Sequence, residues 1–151
     1  MHEKYWEDFA VGETVTTTGV TITESHLVQW AGLTWDWYPL HMDEEYAKKT
    51  MFGGRIAHGP LTFALGVGLM GTAGFVGDAI TAWLGADAMR LPAPVRVGDT
   101  IHLEAEVTSL EPTSKPASGR CVMHYTIVNQ RGETVMEYDM NFLMKRRAPS
   151  G

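Results

Sequence analysis

The sequence predicts an α+β fold in which one long buried helix is wrapped by a mostly antiparallel β-sheet. The first observation is an apolar, glycine-containing segment from Pro60 to Val76 that lacks a polar face. The second is a run of four strand-like stretches that follows this segment, and the third is a β-branched stretch that precedes it. Consecutive strands with one inserted buried helix favour a helix packed on an antiparallel sheet.

The chain before the central helix begins with a predicted strand and a predicted short helix. The stretch from Thr14 to Thr23 is rich in threonine and valine, which favours a strand. Thr23 is a suitable N-cap for a helix from Glu24 to Gly32, since its side chain can accept a bond from a first-turn N–H. We therefore expect one uninterrupted strand followed at once by a helix.

The next segment, Leu33 to Met42, fits neither helical nor strand periodicity and is predicted to be a loop. Pro39 blocks a continuing helix and restricts Tyr38 to extended backbone. Asp43 is a plausible N-cap for a helical turn through Lys48.

The central helix is predicted to start at Pro60, which suits a first helical turn because it has no N–H to leave unpaired. Each interior glycine costs up to about 1 kcal/mol relative to alanine, so the glycines indicate close approach of a neighbouring backbone. Gly98-Asp99 and Arg131-Gly132 supply turns between the later strands. These strands are predicted at Ala79 to Leu91, Thr100 to Leu110, Arg120 to Asn129 and Thr134 to Lys145.

Length and composition predict a single domain over residues 1–151, with a core from about 5 to 144. The net charge of −6, from 12 basic and 18 acidic side chains, argues against nucleic acid as a partner. No apolar run is long enough for a membrane span, and the acidic, aromatic N-terminus does not resemble a secretory signal. We expect a cytoplasmic protein, and its single cysteine, Cys121, cannot form an internal disulfide.

Two elements carry residues suited to catalysis. Asp36 and His41 flank a proline-containing loop, where a carboxylate and an imidazole can converge on one water molecule. Gly59 follows His58 at the predicted start of the central helix, where free N–H groups can polarise a carbonyl that approaches closely. For each element a purely structural interpretation stays open, as an Asx turn with a packed histidine and as a capped helix start.

Three motifs in order resemble the MaoC-like dehydratases, which include the (R)-specific enoyl-CoA hydratases. They are the stretch from Asp36 to Asp43, then Ile56-Ala57-His58-Gly59, and later the stretch from Arg90 to Asp99 around Pro92-Ala93-Pro94. The resemblance implies the hot dog fold, a single unit with a long central helix wrapped by an antiparallel sheet. Because 151 residues are too few for the double-unit version, it also implies a homodimer or a larger assembly of dimers.

The resemblance implies reversible hydration of a trans-2-enoyl-CoA to a 3-hydroxyacyl-CoA, with coenzyme A as part of the substrate and no separate cofactor. Asp36 and His41 match the family's catalytic pair, and Gly59 matches the glycine whose backbone N–H binds the thioester carbonyl. His58 belongs to the same signature, and we expect it at the substrate site in a structural role.

Three positions depart from the family pattern. Tyr38 stands where many hydratases carry asparagine, and Val67 aligns with a helix position where some carry serine. Leu91 stands where relatives often carry an aromatic contact to the substrate. We expect Tyr38 and Leu91 to line the substrate site nevertheless.

Basic side chains are needed near a coenzyme A phosphate. Arg90 and Arg96 are predicted to bind it, since arginine pairs well with phosphate. Arg55 and the run 145–147 are further candidates, with ordinary surface charges and a solvated tail as the alternative.

Three questions stay open at this stage. A thioesterase of the same superfamily and a non-catalytic acyl-CoA-binding subunit are the alternative functions. The spacing of His41, Asp43 and His58 does not match a metal motif, so no metal is expected. The aromatic residues Trp30, Trp35, Trp37 and Tyr38 can line an acyl pocket, which would favour short or branched acyl groups, or can belong to the core.

Overall fold

The computed structural model describes residues 2–147 and has the α+β architecture that the sequence predicts. A six-stranded sheet runs in the order β1-β4-β5-β6-β3, with β2 also paired to β4, and every pairing is antiparallel. The strands are β1 (Thr14–Thr16), β2 (Val20–Thr21), β3 (Ile80–Arg90), β4 (Thr100–Pro112), β5 (Ser118–Asn129) and β6 (Thr134–Lys145). The helices are α1 (Glu24–Thr34), α2 (Pro39–Met42), α3 (Glu44–Ala47) and α4 (Gly59–Ala73), after a short 3-10 turn at Trp6–Asp8.

The core lies between α4 and one face of the sheet. Along β5 the inward side chains alternate with outward ones, and Met123, Tyr125 and Ile127 are almost fully buried. Tyr138 of β6 is equally buried and its ring packs against Tyr125, with 5.3 Å between the ring centroids. This alternation is what a sheet with one covered face requires.

Helix α4 approaches the sheet most closely at Gly66. A Cβ atom at this position would lie 2.6 Å from the hydroxyl oxygen of Tyr138 and 2.9 Å from Cδ1 of Ile127. The expectation that a helix glycine permits close approach is therefore confirmed at Gly66. At Gly68 and Gly71 a Cβ would meet nothing within 4 Å, so these glycines do not serve that purpose.

The prediction of one continuous strand from Thr14 to Thr23 is wrong in its middle. The ladder with β4 is interrupted between β1 and β2, where Thr17 Oγ1 accepts the N–H of Leu103 at 3.0 Å. This hydroxyl takes the place of a backbone carbonyl, so the chain bends and Gly19 packs against Thr100. Threonine favours strands, but its hydroxyl also competes for ladder hydrogen bonds.

The prediction of an irregular segment from Leu33 to Met42 is also wrong in part. Helix α1 continues to Thr34, and Pro39 begins the short helix α2 rather than preventing one. Proline is well suited to the first helical position because its missing N–H would have no partner there. The predicted N-cap at Asp43 is confirmed, since its carboxylate accepts the N–H of Tyr46 at 3.0 Å.

The later elements match the prediction closely. Helix α4 starts one residue before the predicted Pro60 and ends at Ala73, three residues before the predicted Val76, because Gly74 adopts a left-handed conformation with φ of 70°. The four strands that follow begin and end within two residues of the predicted positions. Within residues 2–147, no helix has both the length and the apolar character needed to cross a membrane.

The packing of α4 predicts opposite effects for two glycine substitutions. Gly66→Ala should lower the free energy of unfolding by about 1–3 kcal/mol, because the added methyl group collides with Tyr138 and Ile127. Gly68→Ala on the same helix should raise it by up to about 1 kcal/mol, because alanine favours the helix and meets no neighbour. Urea unfolding of both variants tests this, and equal effects would contradict the packing described.

Candidate active site

Asp36 is placed by the end of helix α1. Trp35 adopts a left-handed conformation with φ of 65° and donates its N–H to the carbonyl oxygen of Ala31, which ends the helix and redirects the chain. The carboxylate of Asp36 then accepts the N–H of Tyr38 at 3.4 Å. The side chain is half-buried, so it is held in an Asx-type turn while it stays accessible to a ligand.

His41 lies on α2, and its ring is oriented by a backbone carbonyl. Nδ1 lies 2.8 Å from the carbonyl oxygen of Ile56. A carbonyl oxygen can only accept, so Nδ1 carries the proton and Nε2 of the neutral ring carries the lone pair. His41 therefore presents a nitrogen that can accept a proton.

His58 is fully buried beside these two residues. Its Nε2 donates to the backbone carbonyl oxygen of Asp36 at 3.0 Å, and its ring centroid lies 4.1 Å from that of His41. Burial lowers the pKa of His58 below its ordinary value, and the neighbouring His41 acts in the same direction. The neutral imidazole thus joins Asp36 to His41, which agrees with the structural role expected for it.

Gly59 is the first residue of α4, directly after His58. The first N–H groups of a helix have no partner within the helix and carry a partial positive charge. At this end of α4 the side chain of Leu91 packs against Gly59, with its Cδ2 only 2.9 Å from where a Cβ of residue 59 would lie. The backbone of Gly59 can therefore bind an electron-rich oxygen that approaches beside Leu91.

His41 and Gly59 face a cavity of about 330 Å³, whereas Asp36 and His58 lie behind His41 and are not among its lining residues. His41, Gly59 and Leu91 line it, together with buried side chains that include Thr62 and Met136. A proton acceptor and a helix N-terminus therefore face one mainly apolar space. Such an arrangement can activate a water molecule while it stabilises negative charge on a bound carbonyl oxygen.

Asp36, His41 and His58 also offer ligand atoms that lie within 4.8 Å of one another. A carboxylate and two imidazoles are ligand types that zinc accepts. Each ring uses one nitrogen on a backbone carbonyl, and the second nitrogen of each stays available, with His58 Nδ1 buried and without a hydrogen-bond partner among the described residues. Asp43, which the sequence analysis assigned as an N-cap rather than a ligand, caps α3.

The structure distributes the other predicted substrate-binding residues around this cavity. Tyr38 is exposed and its ring centroid lies 6.3 Å from that of His41. Arg90 is exposed and pairs with Glu137 at 3.2 Å. The guanidinium of Arg96 donates to the carbonyl oxygen of Phe52, a residue that lines the cavity. Of the predicted substrate-binding residues, Leu91 is therefore the one that lines the His41 cavity itself.

The other basic candidates form ion pairs with carboxylates of the same chain. Arg55 binds Glu24 at 2.7 Å and Glu44 at 3.2 Å. The run 145–147 is not a solvated tail, because its side chains pair with carboxylates of the N-terminal segment and of the turn before β3. The predicted pairing of this run with phosphate stays a prediction.

The aromatic residues near Asp36 do not line the His41 cavity. Trp35 and Trp37 are 84% and 51% exposed, which also excludes them from the core. Trp30 packs partly against the core and borders two other cavities, one lined by α1 and Leu61 and one between α4, β3 and β6. Because none of these rings lines the His41 cavity, crowding that would favour short or branched acyl groups stays a prediction.

Some residues of the site were not found from the sequence. Thr62 is buried in the cavity wall, and its position as a polar residue near the start of an apolar helix was a usable signal. Met136 comes from β6, and its place depends on strand register, which the sequence pattern does not specify. The carbonyl of Ile56 orients His41, and a backbone acceptor leaves no residue-type signal.

Comparison with known proteins places this site in a family context. The family model described as the MaoC like domain matches residues 8–126. The (R)-specific enoyl-CoA hydratase of Rhodospirillum rubrum is 35% identical over 134 residues, which are 87% of this chain and 90% of that protein. The crystal structure of the MaoC-like dehydratase from the same organism has a TM-score of 0.87 and 30% identity, with 97% of this chain and 99% of that chain covered.

A third comparison concerns the fold alone. A Mycobacterium tuberculosis protein described as having a double hot dog fold has a TM-score of 0.85 at 19% identity. The match covers 98% of this chain and 46% of that one, so one unit of the double fold corresponds to the whole chain. The predicted hot dog fold is thereby confirmed.

The buried neutral state of His58 predicts a specific pH dependence of stability. Its pKa is lowered on folding, so below an unfolded-state value of about 6.5 the unfolded chain binds more protons and stability falls as the pH falls. In His58→Gln, which keeps an amide donor for Asp36, this contribution should be lost. Urea unfolding between pH 7.5 and 5 should therefore give a shallower pH slope for the variant than for the wild type, and parallel slopes would contradict a buried neutral His58.

Proposed function

The chain belongs to the MaoC-like dehydratase family and is an enzyme, and from this premise we propose that it catalyses the reversible hydration of a trans-2-enoyl-CoA to a 3-hydroxyacyl-CoA. The observation that carries the proposal is the joint orientation of His41 and Gly59 toward one cavity. Coenzyme A enters as part of the substrate, and the reaction as proposed needs no metal or separate cofactor.

The proposed reaction adds one water molecule across the C2–C3 double bond. Asp36 and His41 hold the water, and Nε2 of His41 accepts one of its protons as the oxygen bonds to C3. The electron pair of the double bond moves toward the thioester carbonyl, whose oxygen accepts the N–H of Gly59. His41 then returns the proton to C2, so that a hydroxyl group on C3 and a hydrogen on C2 have been added. Dehydration is the reverse sequence.

Each group is suited to its step by the contacts around it. The carbonyl of Ile56 keeps the His41 proton on Nδ1, away from the reacting side. The developing enolate charge lies at a helix N-terminus inside a mainly apolar cavity, where such interactions are stronger than in water. His58 supports both catalytic side chains through a backbone bond and ring stacking.

Removal of either acid–base group should abolish most of the activity while the fold is retained. Asp36→Asn and His41→Ala should each lower kcat for but-2-enoyl-CoA by at least about 100-fold, because general acid–base catalysis typically contributes that much. The change should fall on kcat rather than on KM, since the proposed role is chemical. Loss of absorbance of the enoyl thioester measures the rate.

Two matched substitutions serve as controls. Asp43→Asn should keep full activity because asparagine also caps a helix, and His102→Ala removes a histidine paired with Glu104 away from the cavity. Activity in the presence of a chelator should be unchanged, and its loss would overturn the metal-free proposal. Release of free thiol from saturated acyl-CoA would instead support a thioesterase, and tight binding without turnover would support a non-catalytic subunit.

We also propose that two copies of the chain associate through the outer side of α4 and strand β3. Val67 of α4 and Trp83 and Leu84 of β3 are 43%, 55% and 55% exposed, and an apolar cavity of about 560 Å³ lies between α4 and β3. Within the described chain β3 is paired along one side only, to β6, which leaves an edge that can pair with another strand. A second copy would cover both features at once.

The proposed dimer predicts a mass of about twice 16.7 kDa in sedimentation equilibrium. Val67→Glu should shift the protein toward the monomer, because a carboxylate would be buried in the apolar contact. Val11→Glu, at an exposed valine beside β4, should leave the mass unchanged. A wild-type protein that sediments as a monomer would contradict the proposal.

A further inference from the structure

Leu91 stands at the boundary between two cavities. One is the His41 cavity of about 330 Å³, and the other is an apolar cavity of about 270 Å³ lined by Pro60, Phe63 and Met89 among others. Gly59, Leu91 and Met136 line both. Gly59 has no side chain and Met136 is buried, so Leu91 is the side chain that stands between the two spaces at the end of α4.

The backbone at Leu91 is restricted on both sides, and its side chain is 54% exposed. Arg90, the residue before Leu91, pairs with Glu137 of β6. Pro92, the residue after Leu91, restricts Leu91 to extended backbone. The side chain packs onto Gly59 with its Cδ2 2.9 Å from an ideal Cβ position at residue 59. In the observed conformation the Leu91 side chain therefore fills the space beside Gly59.

This position relates Leu91 to particular atoms of a bound thioester. If the carbonyl oxygen binds the N–H of Gly59, the two atoms attached to the carbonyl carbon, the sulfur and C2, lie nearest to Leu91. C3 must reach His41, so the acyl part extends into the His41 cavity and the sulfur faces the second one. The sulfur is the same in every coenzyme A substrate, whereas the substituent on C2 varies.

We propose that Leu91 is a specificity-determining residue that excludes thioesters with a substituent on C2, an inference that rests on the proposed function. A methyl group on C2 would occupy the space that Leu91 fills beside Gly59. Branches or extra length from C4 onward lie farther from Leu91 and are not selected by it. The substrates are therefore enoyl thioesters that carry hydrogen at C2.

The inference predicts a change of specificity in Leu91→Ala. The ratio of kcat/KM for 2-methylbut-2-enoyl-CoA to that for but-2-enoyl-CoA should rise about tenfold or more, because one carbon in a tight apolar site typically changes discrimination by that factor. The ratio of kcat/KM for hex-2-enoyl-CoA to that for but-2-enoyl-CoA should stay within about twofold of its wild-type value. Leu33→Ala, at an exposed leucine of α1 that lines neither cavity, should change neither ratio.

The outcomes are separable from those of the proposed function. An unchanged 2-methyl ratio, or an equal rise for the six-carbon substrate, overturns the role of Leu91 even when hydration is observed. If the wild type hydrates no substrate, calorimetric binding of 2-methylbutanoyl-CoA and butanoyl-CoA to both proteins decides the inference by itself. Leu91→Val, a smaller change checked by thermal unfolding, replaces Leu91→Ala if the latter does not fold.

Discussion

The contact between α4 and the sheet at Gly66 fixes the position of the groups in the candidate site. Gly66 lies seven residues after Gly59 on the same helix, a separation of about 10 Å along a rigid axis. Its contact with Tyr138 and Ile127 therefore also sets the distance of the helix N-terminus from β6. The cavity between Gly59 and Met136 exists because the helix can lie this close to the sheet without displacing it.

The catalytic side chains depend on this helix through backbone carbonyl groups. Ile56 and His58 lie in the segment that leads directly into α4. The carbonyl of Ile56 orients the ring of His41, and the ring of His58 binds the backbone carbonyl of Asp36. Arg55, the residue before this segment, binds carboxylates of α1 and α3 and lies 3.4 Å from the carbonyl oxygen of His41. The segment between α1 and α2, which carries Asp36, is thus held in one conformation by contacts with residues 55–58.

The sequence predicts those parts of the fold that local chemistry determines. The start of α4 follows from Pro60, the ends of the four later strands follow from turn residues and β-branched residues, and the cap at Asp43 follows from its side chain. The break at Thr17 was not predictable because it depends on Leu103, a residue whose pairing with it requires the folded sheet. For the same reason, Asp36 and His41 were identifiable as a pair, while Met136 and the bond from His58 to Asp36 required the tertiary structure.

The partners of charged side chains are also not predictable from the sequence, because a basic residue type does not reveal whether a carboxylate of the folded protein already pairs with it. Arg55, Arg146 and Arg147 were candidates for phosphate, yet each forms an ion pair with a carboxylate of the protein. Arg96 differs, since in the described chain its guanidinium donates to a neutral backbone carbonyl beside the His41 cavity and has no ion-paired carboxylate. Arg120 likewise donates to a neutral group, the side-chain oxygen of Asn141, but it lies on β5 and does not line the His41 cavity. Because Arg96 lies beside the His41 cavity and has no ion-paired carboxylate among the described residues, we expect it, rather than Arg55 or the run 145–147, to attract a coenzyme A phosphate.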